Sequence, residues 1–342
     1  MQNRGQVGPV FKYLMAIIVC TMFLLFFINF GMTYMKQQKS VESYMITTGF
    51  DDVLSALGSS EDASNTYNFG LKTTIDFKVP KKGSEYIELK SGGNLPLKSY
   101  KAIFAPSKIT GTKVEVLTKR WYFPYPVDNL FYLTATGYKY FIVYDDETES
   151  LAKDLAGADA TDVTAAIPSK FGAEAVDAAK AKGLKSSLAN VKATFILFEE
   201  DAELESALRK LPNAKVRVIK MDKDDPDYGE IMFEDGQEYP YFGKPMMIGA
   251  IFAEDSAMYE HALSVALNKV GVVTKIYLGK LEYLSNTPQL LTCTQYALMK
   301  MNLEALYSQV RSEDTSVPKY KSLVEGIDNN NELLGGDCPE IF

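Results

Sequence analysis

The hydrophobic pattern is dominated by one uninterrupted apolar stretch near the N-terminus, residues 13–34, which holds 22 residues and no charge. At about 1.5 Å rise per residue, a helix of this length spans about 33 Å, enough to cross a hydrocarbon core of about 30 Å. Its polar residues Thr21, Asn29 and Thr33 do not line up on one face, as they would in a half-buried helix. The stretch therefore predicts a membrane-spanning helix.

The pattern changes twice beyond this stretch. Between residues 35 and 57, apolar side chains recur at spacings near three and four, which predicts a helical stalk, and residues 58–64 are typical of a linker. From there to residue 144 apolar and polar residues alternate, which predicts a β-rich layer. Its strands are expected at 71–77, 86–89, 101–104, 113–117, 131–134 and 139–144.

After residue 140, strand patterns alternate with helix patterns, which is typical of βαβ units and a parallel or mixed sheet. The strands are expected at 139–144, 192–199 and 215–221, and the helices at 150–155, 174–182 and 201–211. A hairpin is predicted around Asp235-Gly236, a strong turn signal, and a buried strand at 246–252. The remainder predicts three helices: one at 255–285, a second that begins after Pro288 and ends at about 311, and a third at 319–334.

The fold class predicted is therefore α/β, with α+β elements. Six regions are expected: an N-terminal tail at 1–12, the transmembrane helix at 13–34, a stalk and linker at 35–65, a β-rich region at 66–138, an α/β region with a Rossmann-like mixed sheet at 139–254, and a C-terminal helical region at 255–342.

Composition narrows the function classes. A net charge of −8 and an isoelectric point near 5.0 argue against a nucleic-acid partner, because phosphate binding needs a basic face. The chain has one histidine, His261, so a single chain cannot assemble a metal centre from several histidines. Its neighbours Met258 and Leu263 favour a structural role for it. Neither GxGxxG nor GxxxxGK[ST] occurs, so nucleotide binding has little support in the sequence. No stretch carries a specific catalytic signature, which favours a non-enzymatic role without deciding it.

The cysteines indicate a compartment. Cys20 lies inside the apolar stretch, which leaves Cys293 and Cys338 as a pair in the rest of the chain. This pair predicts one disulfide in an oxidising compartment, and the alternative is two buried free thiols.

Charge does not orient the apolar helix. Arg4 and Lys12 precede it and Lys36 and Lys39 follow it, so the positive-inside rule is close to a tie. The cysteine pair and the short N-terminal tail favour a cytoplasmic N-terminus with the large folded part outside.

Acids gather at the predicted C-terminal ends of strands, the edge at which open α/β sheets bind ligands. They are Asp145-Asp146, Glu199-Glu200-Asp201, Asp222-Asp224-Asp225 and Glu254-Asp255. The spacing of Asp146, Thr148 and Ser150 resembles the metal-ion-dependent adhesion motif of von Willebrand A domains, which implies a Mg²⁺ or Ca²⁺ ion held by these three side chains. The favoured interpretation is that these acids cap the helices that follow, so no cofactor is expected.

An aromatic cluster at residues 121–126 holds the only tryptophan, Trp121. Exposed aromatic clusters beside prolines often bind partners. The favoured alternative is a bend between strands whose aromatic side chains lie in the core.

The N-terminus resembles a known family. Arg4-Gly5-Gln6 directly before an apolar helix is similar to the processing site of archaeal type IV pilin-like proteins, which implies cleavage between Gly5 and Gln6. The fifth residue after that site is Val10, where such pilins usually carry Glu. Three later stretches, 250–263, 273–284 and 338–342, resemble uncharacterised archaeal proteins with a single membrane anchor.

These observations predict a single-pass membrane protein with an extracytoplasmic folded part, acting as a structural or interaction module of pilin-like type. Its expected partners are the lipid bilayer and either another protein or further copies of itself. The alternative is a membrane-tethered metal-dependent binding module or hydrolase that uses the strand-end acids.

Overall fold

The structure, a computed structural model, describes residues 7–92, 96–157, 166–184, 188, 191–222, 225–290, 293–312, 314–334 and 338–342. The helices in this part of the chain are α1 (Val7–Leu57), α2 (Glu149–Ala156), α3 (Ala178–Ala181), α4 (Ala202–Arg209), α5 (Gly243–Phe252), α6 (Ser256–Ser285), α7 (Gln295–Val310) and α8 (Val317–Glu332). The strands are β1 (Ser64–Lys78), β2 (Ile87–Lys90), β3 (Leu97–Ser99), β4 (Ile103–Phe104), β5 (Lys108–Tyr122), β6 (Pro126–Thr134), β7 (Tyr138–Tyr144), β8 (Ala173–Asp177), β9 (Lys192–Leu197), β10 (Ala214–Met221), β11 (Tyr228–Met232) and β12 (Glu238–Phe242).

Helix α1 joins the predicted apolar helix and the predicted stalk in one unbroken helix of 51 residues. It is long and apolar enough to cross a membrane, and no part of its apolar stretch is buried. Only its last four turns pack on the rest of the protein. Ser43, Thr47, Phe50 and Leu54 are buried, and their spacing of three and four residues places them on one face of the helix.

The first sheet has the strand order β3-β2-β1-β5-β6-β4 and is antiparallel except for the pair β4 and β6. Its buried face carries alternate residues such as Ile75 and Phe77 of β1, and Phe77 pairs with Leu89 of β2. The predicted β-rich layer is therefore present. Strand β3 lies outside the predicted strands, and β5 is much longer than its predicted core at 113–117.

The second sheet has the strand order β12-β11-β10-β9-β7-β8. Strands β8, β7, β9 and β10 run parallel, and β11 and β12 add an antiparallel hairpin at one edge. The predicted hairpin is confirmed, with Gly236 in its turn at a φ of 78°. The protein is thus a mixed α/β fold with two mixed sheets and a long apolar N-terminal helix.

Helices cover both faces of the second sheet. Residues of α3 and α4 pack with Phe195 and Val216 on one face and form a small separate core. The other face, with Ile196 and Ile219, belongs to the large core that also contains α2, α5, α6 and the buried side of the first sheet. The two sheets are therefore joined through one hydrophobic core.

Two predicted elements are wrong. Residues 246–252 form most of helix α5 and not a strand, because periodicity cannot distinguish a short apolar run in a buried helix from one in a buried strand. The helix packs tightly on the first sheet, since a Cβ atom at Gly249 would lie 2.6 Å from the Phe104 ring. Residues 174–182 were predicted as one helix, but 174–177 lie in β8, which pairs in parallel with β7, and the helix α3 takes up only 178–181.

The last residues of the chain fold back onto the C-terminal helices. The disulfide between Cys293 and Cys338 has a Cα–Cα distance of 5.8 Å and closes a sequence separation of 45 residues. Ile341 is fully buried, and its backbone N–H donates to Asn331 Oδ1 of α8 at 2.9 Å. The Phe342 ring lies 5.3 Å from the Tyr125 ring.

Candidate functional site

The first half of α1 exposes a long run of apolar side chains that pack on no other part of the described chain. Side chains from Phe11 to Met35 are almost all exposed, including Phe23 at 58% and Phe27 at 64%. Between residue 34 and the first buried residue, Ser43, only the eight residues 35–42 intervene, about 12 Å of helix. The folded part therefore follows the apolar stretch directly.

The second half of α1 is fixed firmly in the fold. The Phe50 ring packs against the rings of Tyr67 and Phe69 in β1, at 5.4 Å and 5.9 Å. The next residue of the helix is Asp51. Its Oδ1 accepts hydrogen bonds from the Ser99 hydroxyl at 2.8 Å and from the Lys101 ammonium at 2.7 Å. Because apolar and charged contacts act together, the second half of α1 is held against the first sheet.

Two of the acids that the sequence predicts at strand ends act as helix caps; Asp201 does follow strand β9, whereas Asp255 follows helix α5. Asp201 Oδ1 accepts from the N–H groups of Glu203 and Leu204 at the start of α4, at 3.0 Å and 2.9 Å. Asp255 does the same for α6 through Met258 at 2.9 Å. Capping satisfies the free N–H groups of a helix start and favours its positive end. The prediction that these acids cap the following helices is confirmed at both positions.

Two more of these predicted strand-end acids form ion pairs. Glu200 pairs with Lys220 at 2.7 Å, and Glu254 pairs with Lys215 at 2.9 Å. Among the residues that the structure describes, no group of three or more His, Cys, Asp or Glu residues comes together in a way that could hold a metal ion.

The three residues of the adhesion-like motif lie at the start of α2. The Thr148 hydroxyl is buried and donates to Asp145 Oδ1 at 2.7 Å, while Asp146 and Ser150 are exposed. The hydrogen bond from Thr148 lowers the pKa of the Asp145 carboxyl from its ordinary value. A Mg²⁺ or Ca²⁺ ion at Asp146, Thr148 and Ser150 stays a prediction. The predicted processing residues Gly5 and Gln6 lie outside the described residues.

His261 and the aromatic cluster are both interior. His261 is 5% exposed, its Nε2 atom has no hydrogen-bond partner within the described ranges, and burial lowers its pKa. Trp121, Phe123 and Tyr125 are buried, and the indole N–H of Trp121 donates to the Phe242 carbonyl at 2.7 Å. Tyr122 is the one exposed side chain among the four aromatic residues of this cluster. The interpretation of residues 121–126 as a bend with a buried aromatic core is confirmed.

A cavity of about 230 Å³ opens at the amino ends of β7, β9 and β10, which is the edge opposite to the one where the sequence predicts ligands. Its walls come from those strands, from Pro106 and from the segment after α5; they are Pro106, Tyr138, Tyr140, Lys192, Ala193, Thr194, Asn213, Ala214, Lys215, Phe252, Ala253 and Glu254. Sequence reasoning missed this site because its residues are scattered over about 150 positions and share no motif.

Beside this cavity, the end of α5 is held by two basic side chains of β10. The Arg217 guanidinium is fully buried and donates to the carbonyls of Ala250 and Glu254. Lys215 also donates to the Glu254 carbonyl. Cations at a helix C-terminus satisfy its free carbonyls and oppose the negative end of its dipole.

Asp328 in α8 gives the protein a measurable pH dependence. Burial, followed by the charge of Glu332, raises the pKa of the half-buried Asp328 carboxyl from 3.8 to about 6. The folded state then binds more protons than the unfolded state between these two values, so stability from this group is present below about 3.8 and is lost as the pH rises to about 6.

We therefore expect Asp328→Asn to stabilise the protein at pH 8 by about 1 kcal/mol, a value reduced for the exposure of the group, and to have no effect at pH 3.5. Thermal unfolding followed by Trp121 fluorescence at both pH values measures this. Glu325→Gln, which removes one acid from the same helix, is the matched control and should not reproduce the pH dependence. A gain of the same size at both pH values would contradict the assignment.

No protein-family model, no curated protein and no solved structure matches this chain.

Proposed function

We propose that this protein is anchored in a membrane by the N-terminal half of α1 and presents its folded part outside the cytoplasm as a structural or interaction module. The observation that carries this proposal is the division of one helix into two halves. The N-terminal half of α1 is apolar and exposed, and the C-terminal half packs against the first sheet. An exposed apolar surface of this size needs lipid or another apolar partner to cover it.

The disulfide supports the extracytoplasmic orientation. Disulfides persist in oxidising compartments, and Cys293 and Cys338 are bonded to each other in the folded part. Cys20 is the free cysteine of the described chain, and it lies within the apolar stretch. This distribution is what a protein with its folded part outside the cytoplasm would have.

The use of the polar residues supports a structural or interaction role. Asp201 and Asp255 serve as caps, Glu200 and Glu254 are ion-paired, and His261 is buried in the core. Side chains committed in this way have little freedom to act as acids, bases or nucleophiles.

The winding of the second sheet supports a Rossmann-like interpretation of that part of the chain. The strand order β8-β7-β9-β10 reverses direction after β7, and the connecting helices lie on opposite faces before and after the reversal.

The finer form of the proposal is a pilin-like protein that is cleaved after Gly5 and assembles through its apolar helix. The sequence Arg4-Gly5-Gln6 before α1 supports it. Mass spectrometry of the mature N-terminus tests this form, and an intact Met1 would exclude it while leaving the membrane anchor in place.

Anchoring itself is tested by paired charge insertions. Phe23→Asp with Phe27→Asp places two carboxylates four residues apart in the apolar stretch, where each costs about 3 kcal/mol in a membrane. Val41→Asp with Met45→Asp places the same pair on exposed positions of the same helix beyond that stretch, and is the matched control.

We expect the wild type and the control to remain in the membrane pellet after alkaline carbonate extraction, and the Phe23/Phe27 variant to be released. Retention of that variant in the pellet, or release of the wild type, would overturn the proposal.

A further inference from the structure

We propose that the cavity at the amino edge of the second sheet is a binding site for a small organic monoanion, a carboxylate carried on a compact apolar or aromatic group. The site goes beyond the proposed anchoring function, since it involves no residue of α1.

The register of the strands places five side chains of the cavity in two rows. Tyr138 of β7 is opposite Lys192 of β9, and this row forms the outer end. In the next row Thr194 of β9 lies between Tyr140 of β7 and Lys215 of β10. Because side chains alternate across a strand, all five point to the same face of the sheet, the face that Phe252 and Ala253 cover.

The charged side chains that line the cavity are Lys192, Lys215 and Glu254, which leave one net positive charge. Lys215 is paired with the Glu254 carboxylate at 2.9 Å, so these two charges cancel. The Lys192 ammonium instead donates to the neutral Tyr138 hydroxyl at 3.2 Å. Burial lowers the pKa of Lys192, but the hydrogen bond to Tyr138 and the charge of Glu254 outweigh it, so the pKa lies above its ordinary value. Lys192 is therefore fully charged at neutral pH.

The Lys192 ammonium has N–H donors left for a ligand. An ammonium group has three N–H donors, and Lys192 donates one of them to the Tyr138 hydroxyl oxygen. The Thr194 hydroxyl and the Asn213 side-chain amide, which can each donate as well as accept, also line the cavity. The Tyr138 hydroxyl already donates to the Lys108 carbonyl at 2.8 Å. A carboxylate, which only accepts, complements this arrangement better than a cation or a neutral amide does.

The wall of the cavity beside Tyr140 is apolar, and the cavity is small. The rings of Tyr140 and Phe252 lie 4.7 Å apart, and Pro106 and Ala253 close the wall beside them. A volume of about 230 Å³ is below the range of about 300 to 1,000 Å³ typical of drug-sized ligands. It has room for one six-membered ring or a short branched chain, and it excludes a nucleotide. Together the net positive charge and the apolar wall select a compact amphiphile with a single negative charge.

The test uses the full chain in a neutral detergent, with benzoate and its neutral analogue benzamide as probes, titrated by saturation-transfer NMR. For a ligand of about nine heavy atoms we expect benzoate to bind with a Kd of about 1 mM, and benzamide to bind about tenfold more weakly. The two probes have the same shape, so the difference between them reports the charge at the outer end of the cavity.

Lys192→Met should weaken benzoate binding about tenfold, to the level of benzamide, and leave benzamide binding unchanged. The matched control is Lys139→Met, which removes a lysine from the opposite face of β7, where it is paired with Glu174, and should alter neither probe. Thr194→Val, which is nearly isosteric, should weaken benzoate by about threefold and serves as an independent variant. Trp121 fluorescence melting shows whether each variant is folded.

Three results would overturn the proposal: equal affinity of the wild type for benzoate and benzamide, no binding of benzoate up to about 20 mM, or equal loss of benzoate binding in the Lys139 and Lys192 variants.

Discussion

Replacing Arg217 by Met is expected to lower the free energy of unfolding by about 3 to 5 kcal/mol, the range found when one partner of a buried ion pair is removed. Arg217 is fully buried, its Nε donates to Glu234 Oε1 at 3.2 Å, and its guanidinium lies 5.0 Å from the centre of the Phe233 ring. Methionine fills most of the volume but leaves the Ala250 carbonyl at the end of α5 without the Arg217 donor, whereas the Glu254 carbonyl keeps its hydrogen bond from Lys215. Thermal unfolding of the full chain in detergent, followed by Trp121 fluorescence, should show a melting temperature lower by about 8 °C.

Arg209→Met is the matched control for this prediction. Arg209 is on α4, its side chain is 39% exposed, and it pairs with Glu205 at 3.4 Å, so its loss should lower stability by less than about 1 kcal/mol. Adding Glu234→Met to Arg217→Met should recover part of the loss, because the Glu234 carboxylate is then no longer left without its partner. If Arg217→Met melted within about 2 °C of the wild type, the role of Arg217 in joining β10 to α5 would be refuted.

Loss of the disulfide is expected to destabilise the protein by about 4 kcal/mol, the chain-entropy value for a closed loop of 45 residues. We expect Cys293→Ser with Cys338→Ser to lower the melting temperature by about 8 °C and to make the last residues accessible to carboxypeptidase first. In the native fold those residues are held by hydrogen bonds from Lys280 to the Ile341 carbonyl at 2.7 Å and from Tyr296 to the Pro339 carbonyl at 3.1 Å.

Cys20→Ser is the matched control for the disulfide, since Cys20 is exposed on α1 and unpaired. It should not change the melting temperature, and dithiothreitol should lower the melting of this control to that of the Cys293/Cys338 variant. An unchanged melting temperature in the Cys293/Cys338 variant would mean that the terminal segment holds its position without the covalent bond.

The elements that the sequence predicted well are those in which one local signal decides the structure. The uncharged stretch at 13–34 and the apolar spacing after it both required a helix, and α1 is that helix. Asp235-Gly236 required a tight turn, and Gly236 has the positive φ of such a turn. The capping role of Asp201 and Asp255 followed from their place before helical patterns.

The elements that the sequence predicted wrongly depend on distant partners. The run at 246–252 is apolar all round, so only its packing on the first sheet, which Gly249 permits by its missing side chain, decides that it is helical. Residues 174–177 have helix-favouring composition, but pairing with β7 places them in a strand. The cavity was not predictable, because its residues come together only when three strands and the end of α5 meet.

The central claim, a membrane anchor with the folded part outside the cytoplasm, is tested most directly by thiol labelling of intact cells with a membrane-impermeant maleimide, with and without prior reduction by an impermeant reductant. Cys293 and Cys338 are the reporters, in a Cys20→Ser background. We predict labelling of both cysteines on intact cells only after reduction. Labelling only after lysis, with no need for reductant, would place the folded part in the cytoplasm and contradict the proposed function.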